Sequence, residues 1–380
     1  MLSLLKQHMA LGRITFQQVF IATVTVIYLF FISWMLKLYL GSETESTENF
    51  LTGFYTIVTL LGGLYGLFFV ARHWGGWHSN IGKAVIFISF SSLAWSLGDM
   101  IWMYYNFVLN VELPYPSWAD AAYILVNPFW ALGGIFLATA TGAIYGLRKV
   151  SGKVILLVVP VIAIAVSYYF LITVAQGGVI DLGEGFVEFF FALVYPVGDA
   201  LILAVVILIY ALSYKYFGGK YRFAIQVTLA SFLLGYLADF TFSYTTSLGT
   251  YYNGDFTDAL FATATYVTTL GLALLDSRSV SLRSGVQNRG QVSKMAGLIV
   301  EGQLSIMGPM AWEEAQEVDG LSIDVSRNEV YVEGDSREVL GRLVAQYEKL
   351  FGRASVEACR EAVRPVISQV PSDQIPDMLK

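Results

Sequence analysis

About eight stretches of this chain are apolar for long enough to cross a bilayer, and no other feature restricts the fold so strongly. They fall at roughly 17–40, 51–71, 84–107, 119–146, 154–175, 186–213, 223–247 and 256–276. A helix rises 1.5 Å per residue, so a span needs roughly 20 apolar residues. Lipid offers no partner for backbone N–H and C=O groups, so such runs must be helical. The composition agrees: 56% of residues are hydrophobic, 14% are charged, and the mean hydropathy is +0.60. The expected fold is an all-α polytopic membrane bundle with a lipid-facing surface.

The charges between the runs set an orientation. Lys6 and Arg13 precede the first run, and Glu43, Glu45 and Glu48 follow it. Basic and acidic connections then alternate: Arg72 and Lys83, Glu112, then Arg148, Lys149 and Lys153, Asp181 and Glu184, then Lys215, Lys220 and Arg222, Asp255, and lastly Arg278 and Arg283. The excess of Lys and Arg marks the cytoplasmic side. Both termini are therefore expected in the cytoplasm of a multi-pass cell-membrane protein, with an even number of spans. Tyr104, Tyr105, Tyr115, Trp118, Tyr251 and Tyr252 suit the outer interface, and Trp74, Trp77, Tyr214 and Tyr216 the inner one.

Within this apolar frame the acids stand out. The stretch 96–134 carries Asp99 inside one run and Asp120 at the start of the next. A looser copy follows at 236–273, where Asp239 matches Asp99, Asp258 matches Asp120, and Gly271 matches Gly133. Two like-oriented halves, about 17–146 and 154–276, are the reading this gives. Asp99 and Asp239 lie ~22 Å along their spans, in the outer part of the bilayer. Glu188, Tyr195 and Asp199 share one face of the sixth span by spacings of seven and four. Charge in hydrocarbon is costly and marks a site. The sequence therefore predicts an outward-facing acidic cavity walled by Trp95, Trp102, Tyr195 and Trp130. The expected ligand-binding residues are Asp99, Trp102, Asp120, Glu188, Tyr195, Asp199, Asp239 and Asp258, and the expected ligand is a small polar or cationic molecule. Two simpler roles compete. SWAD and DFTD have the spacing of a capping box, so Asp120 and Asp258 suit helix starts. Asp99 and Asp239 suit hydrogen bonds between helices.

Past Leu275 the composition changes. A polar stretch, 277–293, reads as a linker. Residues 294–380 read as a small cytoplasmic α/β module. A broken amphipathic helix at 294–317 comes first, then a hairpin at 321–333 around SRN. Asp335 caps the next helix, with Val339, Leu340, Leu343, Val344, Tyr347 and Phe351 as its apolar stripe and Gly352 at its end. A last helix starts near Ser355 and stops at Pro365.

Composition also excludes several chemistries. A net charge of −6 argues against nucleic acid. The lone Cys359 rules out a disulfide within one chain, and scattered His8, His73 and His78 argue against haem or a histidine-ligated metal. The last runs hold no lysine for a Schiff base, which excludes a retinal receptor. No cofactor, metal or catalytic residue is expected.

The pattern GD-x-x-W-x-Y-Y, P-x-PSWAD-x-x-Y, YP-x-GD, AD and GTY-x-x-G-x-x-x-D, across roughly 84–276, resembles a multi-pass membrane sensory module. That module stands ahead of diguanylate cyclase or histidine kinase domains. The resemblance implies a membrane sensor that passes a signal to a cytoplasmic output. The matching positions are Asp99, Trp102, Pro116, Asp120, Tyr195, Pro196, Asp199, Asp239, Gly249, Tyr251 and Asp258. No GGDEF run or kinase motif follows here, so residues 294–380 are expected to dock a cytoplasmic protein partner or to form a homodimer, and not to act as an enzyme. Two alternatives follow from the same acids. A proton- or cation-coupled transporter uses membrane carboxylates. An intramembrane aspartyl protease needs two carboxylates sharing a proton, for which SLGD at 96–99 and PVGD at 196–199 give fragments of a motif.

Overall fold

The computed structural model describes residues 15–41, 47–109, 111, 114, 116–141, 143, 147, 150–178, 185–213, 221–276, 290–324 and 329–380. Among the described residues seven helices are long and apolar enough to span a membrane: α1 (Phe16–Gly41), α2 (Leu51–His73), α3 (Asn80–Leu109), α4 (Trp118–Ala140), α5 (Val150–Val174), α6 (Phe186–Ser213) and α7 (Arg222–Ser247). The stretch expected as an eighth span forms α8 (Phe256–Leu274), a shorter helix of 19 residues. Its threonines and Asp258 make it more polar than the others, and Thr257, Thr265, Thr268 and Thr269 are all buried.

Local chemistry starts these helices, and for α4 and α8 it does so where the sequence predicts. Ser117 and Asp120 form a reciprocal capping box at the start of α4. Asp255 caps α8 by accepting the N–H groups of Thr257 and Asp258. Ser79 caps α3 by accepting from Gly82 at 3.0 Å. Pro160 and Pro196 sit inside α5 and α6, where each removes one backbone hydrogen bond.

Six helices close into a ring in the order α2–α3–α4–α6–α7–α8, with α8 returning to α2. Outside the ring, α1 lies against α8 and α2, and α5 against α6 and α7.

The C-terminal segment packs on one end of the ring. It holds α9 (Gln291–Met307), α10 (Met310–Gln316), β1 (Leu321–Asp324), β2 (Glu329–Val332), α11 (Ser336–Phe351) and α12 (Arg353–Val363). The helix expected at 294–317 is indeed broken, at Gly308–Pro309. The two strands pair antiparallel, with Leu321 opposite Val332 and Asp324 opposite Glu329. The turn SRN and nearly all of the linker, 277–289, lie outside the described residues. Asp335 caps α11, accepting from the Glu338 N–H at 3.0 Å, and all six residues of its predicted apolar stripe are buried. This core does not stand apart. Met295, Leu298, Leu343 and Phe351 belong to the same buried cluster as Trp74, Ile81 and Leu275 of the bundle.

Candidate functional site: an acidic, aromatic cavity in the helix ring

At the end of the ring opposite the C-terminal segment lies a cavity of about 800 Å³. All six ring helices supply its wall. Seven of the eight predicted residues line it: Asp99, Trp102, Asp120, Tyr195, Asp199, Asp239 and Asp258. Glu188 falls in the first turn of α6, and its side chain lies outside the described residues. Trp130, expected in the wall, is instead core: it stacks on Phe232 at 5.0 Å and sits against Gly235. The reason is register, since Trp130 lies seven residues beyond Tyr123 on α4, two turns deeper into the ring.

The carboxyl groups divide by what already holds them. Asp120 accepts the Ser117 N–H at 2.8 Å and the Ser117 hydroxyl at 2.9 Å, and the Tyr195 hydroxyl donates to its other oxygen at 2.9 Å. Asp258 accepts the Gly254 N–H at 2.6 Å and the Tyr251 hydroxyl at 3.1 Å. Both acids therefore start a helix and each also takes one tyrosine hydroxyl. Tyr251 stands in the α7–α8 connection, where burial, with the Asp258 charge second, pushes its phenol well above the ordinary tyrosine range.

Asp99 and Asp199 are held across helix contacts, and both holds depend on the glycine that precedes each acid. At Gly98 a Cβ would run into the Tyr123 ring, and at Gly198 into the Asn127 amide. The missing side chains let α4 close on both neighbours. Tyr123 then donates to Asp99 Oδ1 at 2.6 Å, and Asn127 donates to Asp199 Oδ1 at 3.3 Å. Tyr123 and Asn127 are four apart, on one face of α4. The GD pairs at 98–99 and 198–199 are one device used twice.

Asp199 also faces a second carboxyl, that of Asp239 on α7, within hydrogen-bonding reach. The second oxygen of Asp99 is different. Asp99 is 7% exposed, yet its Oδ2 has no hydrogen-bond partner. The Thr56 hydroxyl and the Trp95 indole N–H turn toward the same carboxyl, and both are themselves unpartnered. Trp95 packs edge-on to Tyr123 at 5.7 Å and beside Phe261 at 5.2 Å. Among the described residues that line the cavity there is no lysine, arginine or histidine.

Several lining residues were not among the eight. Tyr123 and Tyr251 stand in the quoted motif, where each is one aromatic among many. Asn127 had a signal, being a lone amide in an apolar run. Tyr55 and Gln176 had none, because nothing in the sequence places α2 beside α3 or brings the end of α5 to the ring.

The opposite end of the ring carries a second polar group. The Trp74 indole N–H, fully buried, donates to the Leu275 carbonyl at the end of α8 at 2.7 Å. Tyr65 donates to Asp276 at 2.7 Å, and His73 stands 3.4 Å from the same carboxylate. Trp74 also packs edge-on to Tyr221 at 4.9 Å and against Phe351 of α11 at 5.6 Å. One helix, α8, thus has Asp258 in the cavity and its other end tied beneath the C-terminal segment. Comparison with family models, with curated proteins and with solved structures finds no match for this chain.

Proposed function

We propose that this membrane protein is a sensor whose cavity faces outward and whose C-terminal module, in the cytoplasm, relays occupancy to a protein partner or a second copy of the chain. The observation that carries the reading is the course of α8. Its first turn forms part of the cavity wall through Asp258, and its last turn is held by Trp74, which packs on Phe351. A ligand that binds one arrangement of the cavity better than another shifts the position of α8, and so the seat of α11. The repeat read from the sequence fits this design. Gly133 seats α4 on α3 against Ile88, and its sequence match Gly271 seats α8 on α7 against Thr228. The ring order repeats the same three-helix run.

The test is amide hydrogen exchange on the full chain in lipid nanodiscs, with phenethylammonium as the probe. The sensor reading expects exchange in 336–363 to change with the probe present. No change there, with the cavity filled, contradicts it.

A transporter is favoured by one separate observation. Buried hydroxyls run along the α2–α3–α8 contact: Ser96 to the Thr56 carbonyl at 3.5 Å, Thr269 to the Val58 carbonyl at 3.2 Å, and Ser89 close against Gly66. The hydroxyls of Thr59 and Ser89 have no protein partner. This polar seam leads from Asp99 toward Tyr65 and Asp276. A carrier using it accumulates labelled phenethylammonium in liposomes under a pH gradient, and a sensor does not.

A further inference from the structure

We infer that the cavity takes an organic ammonium ion with an apolar flank, and that Asp99 is its anchor. This deepens the sensor reading by naming the class of ligand, and it rests on that reading only for the events after binding.

The argument sorts the carboxyl groups by what remains unmet. Asp120 and Asp258 each accept backbone N–H and tyrosine hydroxyl bonds. Asp199 is turned to Asn127 and Asp239. Asp99 has one oxygen met by Tyr123, while its Oδ2 makes no well-formed hydrogen bond although the Thr56 hydroxyl and the Trp95 indole N–H turn toward the carboxyl, and the side chain is more than nine-tenths buried and lines the cavity. A buried acceptor without a well-formed hydrogen bond is costly, and a ligand N–H satisfies it.

The surroundings choose the kind of cation. A divalent metal ion takes six or more oxygen ligands, several of them carboxylates. Among the described residues no three acidic, histidine or cysteine side chains converge in that way. Aromatic rings line the cavity with Asp99 instead: Tyr55, Trp95, Trp102, Tyr123 and Phe261. An ammonium group gains from a carboxylate and from ring faces together, and its carbon substituents gain from the remaining apolar wall. With five carboxyl groups and no basic side chain in the described wall, an anionic ligand is repelled.

Two sources can supply such a group: a soluble amine, or the headgroup of phosphatidylethanolamine. The experiment separates them. The full chain is placed in phosphatidylglycerol nanodiscs, whose lipid has no ammonium group. Phenethylammonium binding is read by quenching of tryptophan fluorescence and by equilibrium dialysis of the labelled probe. The neutral isostere 2-phenylethanol is the control and needs no variant. We expect saturable binding of the amine, at least tenfold weaker binding of the alcohol, and at least a tenfold loss in Asp99→Asn with recovery in Asp99→Glu. Equal binding of amine and alcohol, an unchanged affinity in a folded Asp99→Asn, or no binding to the unaltered protein each overturns the inference. Repeating the titration in phosphatidylethanolamine nanodiscs assigns the source. Competition there points to the headgroup and undiminished binding to a soluble amine, and either result upholds the ammonium class. Binding without a change of exchange in 336–363 upholds the inference and rejects the sensor.

Discussion

Trp74 and Leu275 are joined by a hydrogen bond from the indole N–H to the backbone carbonyl, 2.7 Å long and out of reach of water. Trp74 belongs to the turn between α2 and α3, and Leu275 ends α8, so the bond ties the last ring helix to the first. Trp74→Phe keeps an aromatic ring, removes the donor and leaves a cavity where the five-membered ring stood. A lost hydrogen bond of this kind costs about 0.5–1.5 kcal/mol, and the stranded carbonyl adds to it. Amide exchange at 272–276 and at the start of α9 is expected to quicken in this variant. Unchanged exchange at both places argues that the contact is incidental.

Gly98→Ala and Gly198→Ala test the paired GD device. Each added Cβ meets a side chain of α4, the Tyr123 ring in one case and the Asn127 amide in the other. Overpacking of this sort costs about 1–3 kcal/mol. Both variants are expected to unfold at lower temperature in detergent, by several degrees. Gly177→Ala, on the connection after α5, is the reference, since a Cβ there meets nothing within 4 Å, though its φ of 67° adds some backbone strain. Variants at 98 and 198 no less stable than this reference contradict the close-approach argument.

Tyr123→Phe leaves the ring packing and removes the donor to Asp99 Oδ1. Both oxygens of a buried carboxyl then lack a strong donor. Hydrogen bonds to charged groups are worth about 1.5–3 kcal/mol, so a loss near that size is expected in chemical denaturation. Adding Asp99→Asn to Tyr123→Phe is expected to cost less than the sum of the two, because the pair interacts. Full additivity counts against the bond.

Cys359 supplies the pH dependence. Its thiol is fully buried in α12, and the Gln303 amide donates to the sulfur at 3.1 Å. Burial pushes the thiol up to about 12. The value is raised on folding, so the protonated thiol's contribution is complete below the unfolded value of about 8.5 and falls away as pH rises toward 12. Iodoacetamide at pH 8 is expected to alkylate Cys359 only as fast as the segment opens, and far faster in denaturant. Prompt labelling of the folded chain contradicts this burial.

The spans were legible because length and hydropathy act locally. The capping of Asp120, Asp255 and Asp335 was equally local, a matter of spacings of two or three residues. Asp258 was the hard case, since its threonine-rich helix is polar enough to fall short of the other seven, though it packs in the ring. Asp99 and Asp199 announced themselves as charges in apolar runs. Their contacts did not. Tyr123 and Asn127 reach them only because α4 sits between α3 and α6, a fact of ring order that no local pattern encodes. Trp130 shows the same limit from the other side. Its aromatic character suited a cavity wall, but two turns of helix put it in the core.

The most direct measurement tracks occupancy and output together. Tryptophan quenching reports phenethylammonium in the cavity while hydrogen exchange is read in 336–363. The account predicts that exchange in α11 and α12 shifts along the same titration curve as the quenching, and that Trp74→Phe removes the shift while leaving the quenching in place. A saturated cavity with unaltered exchange in those helices would contradict it.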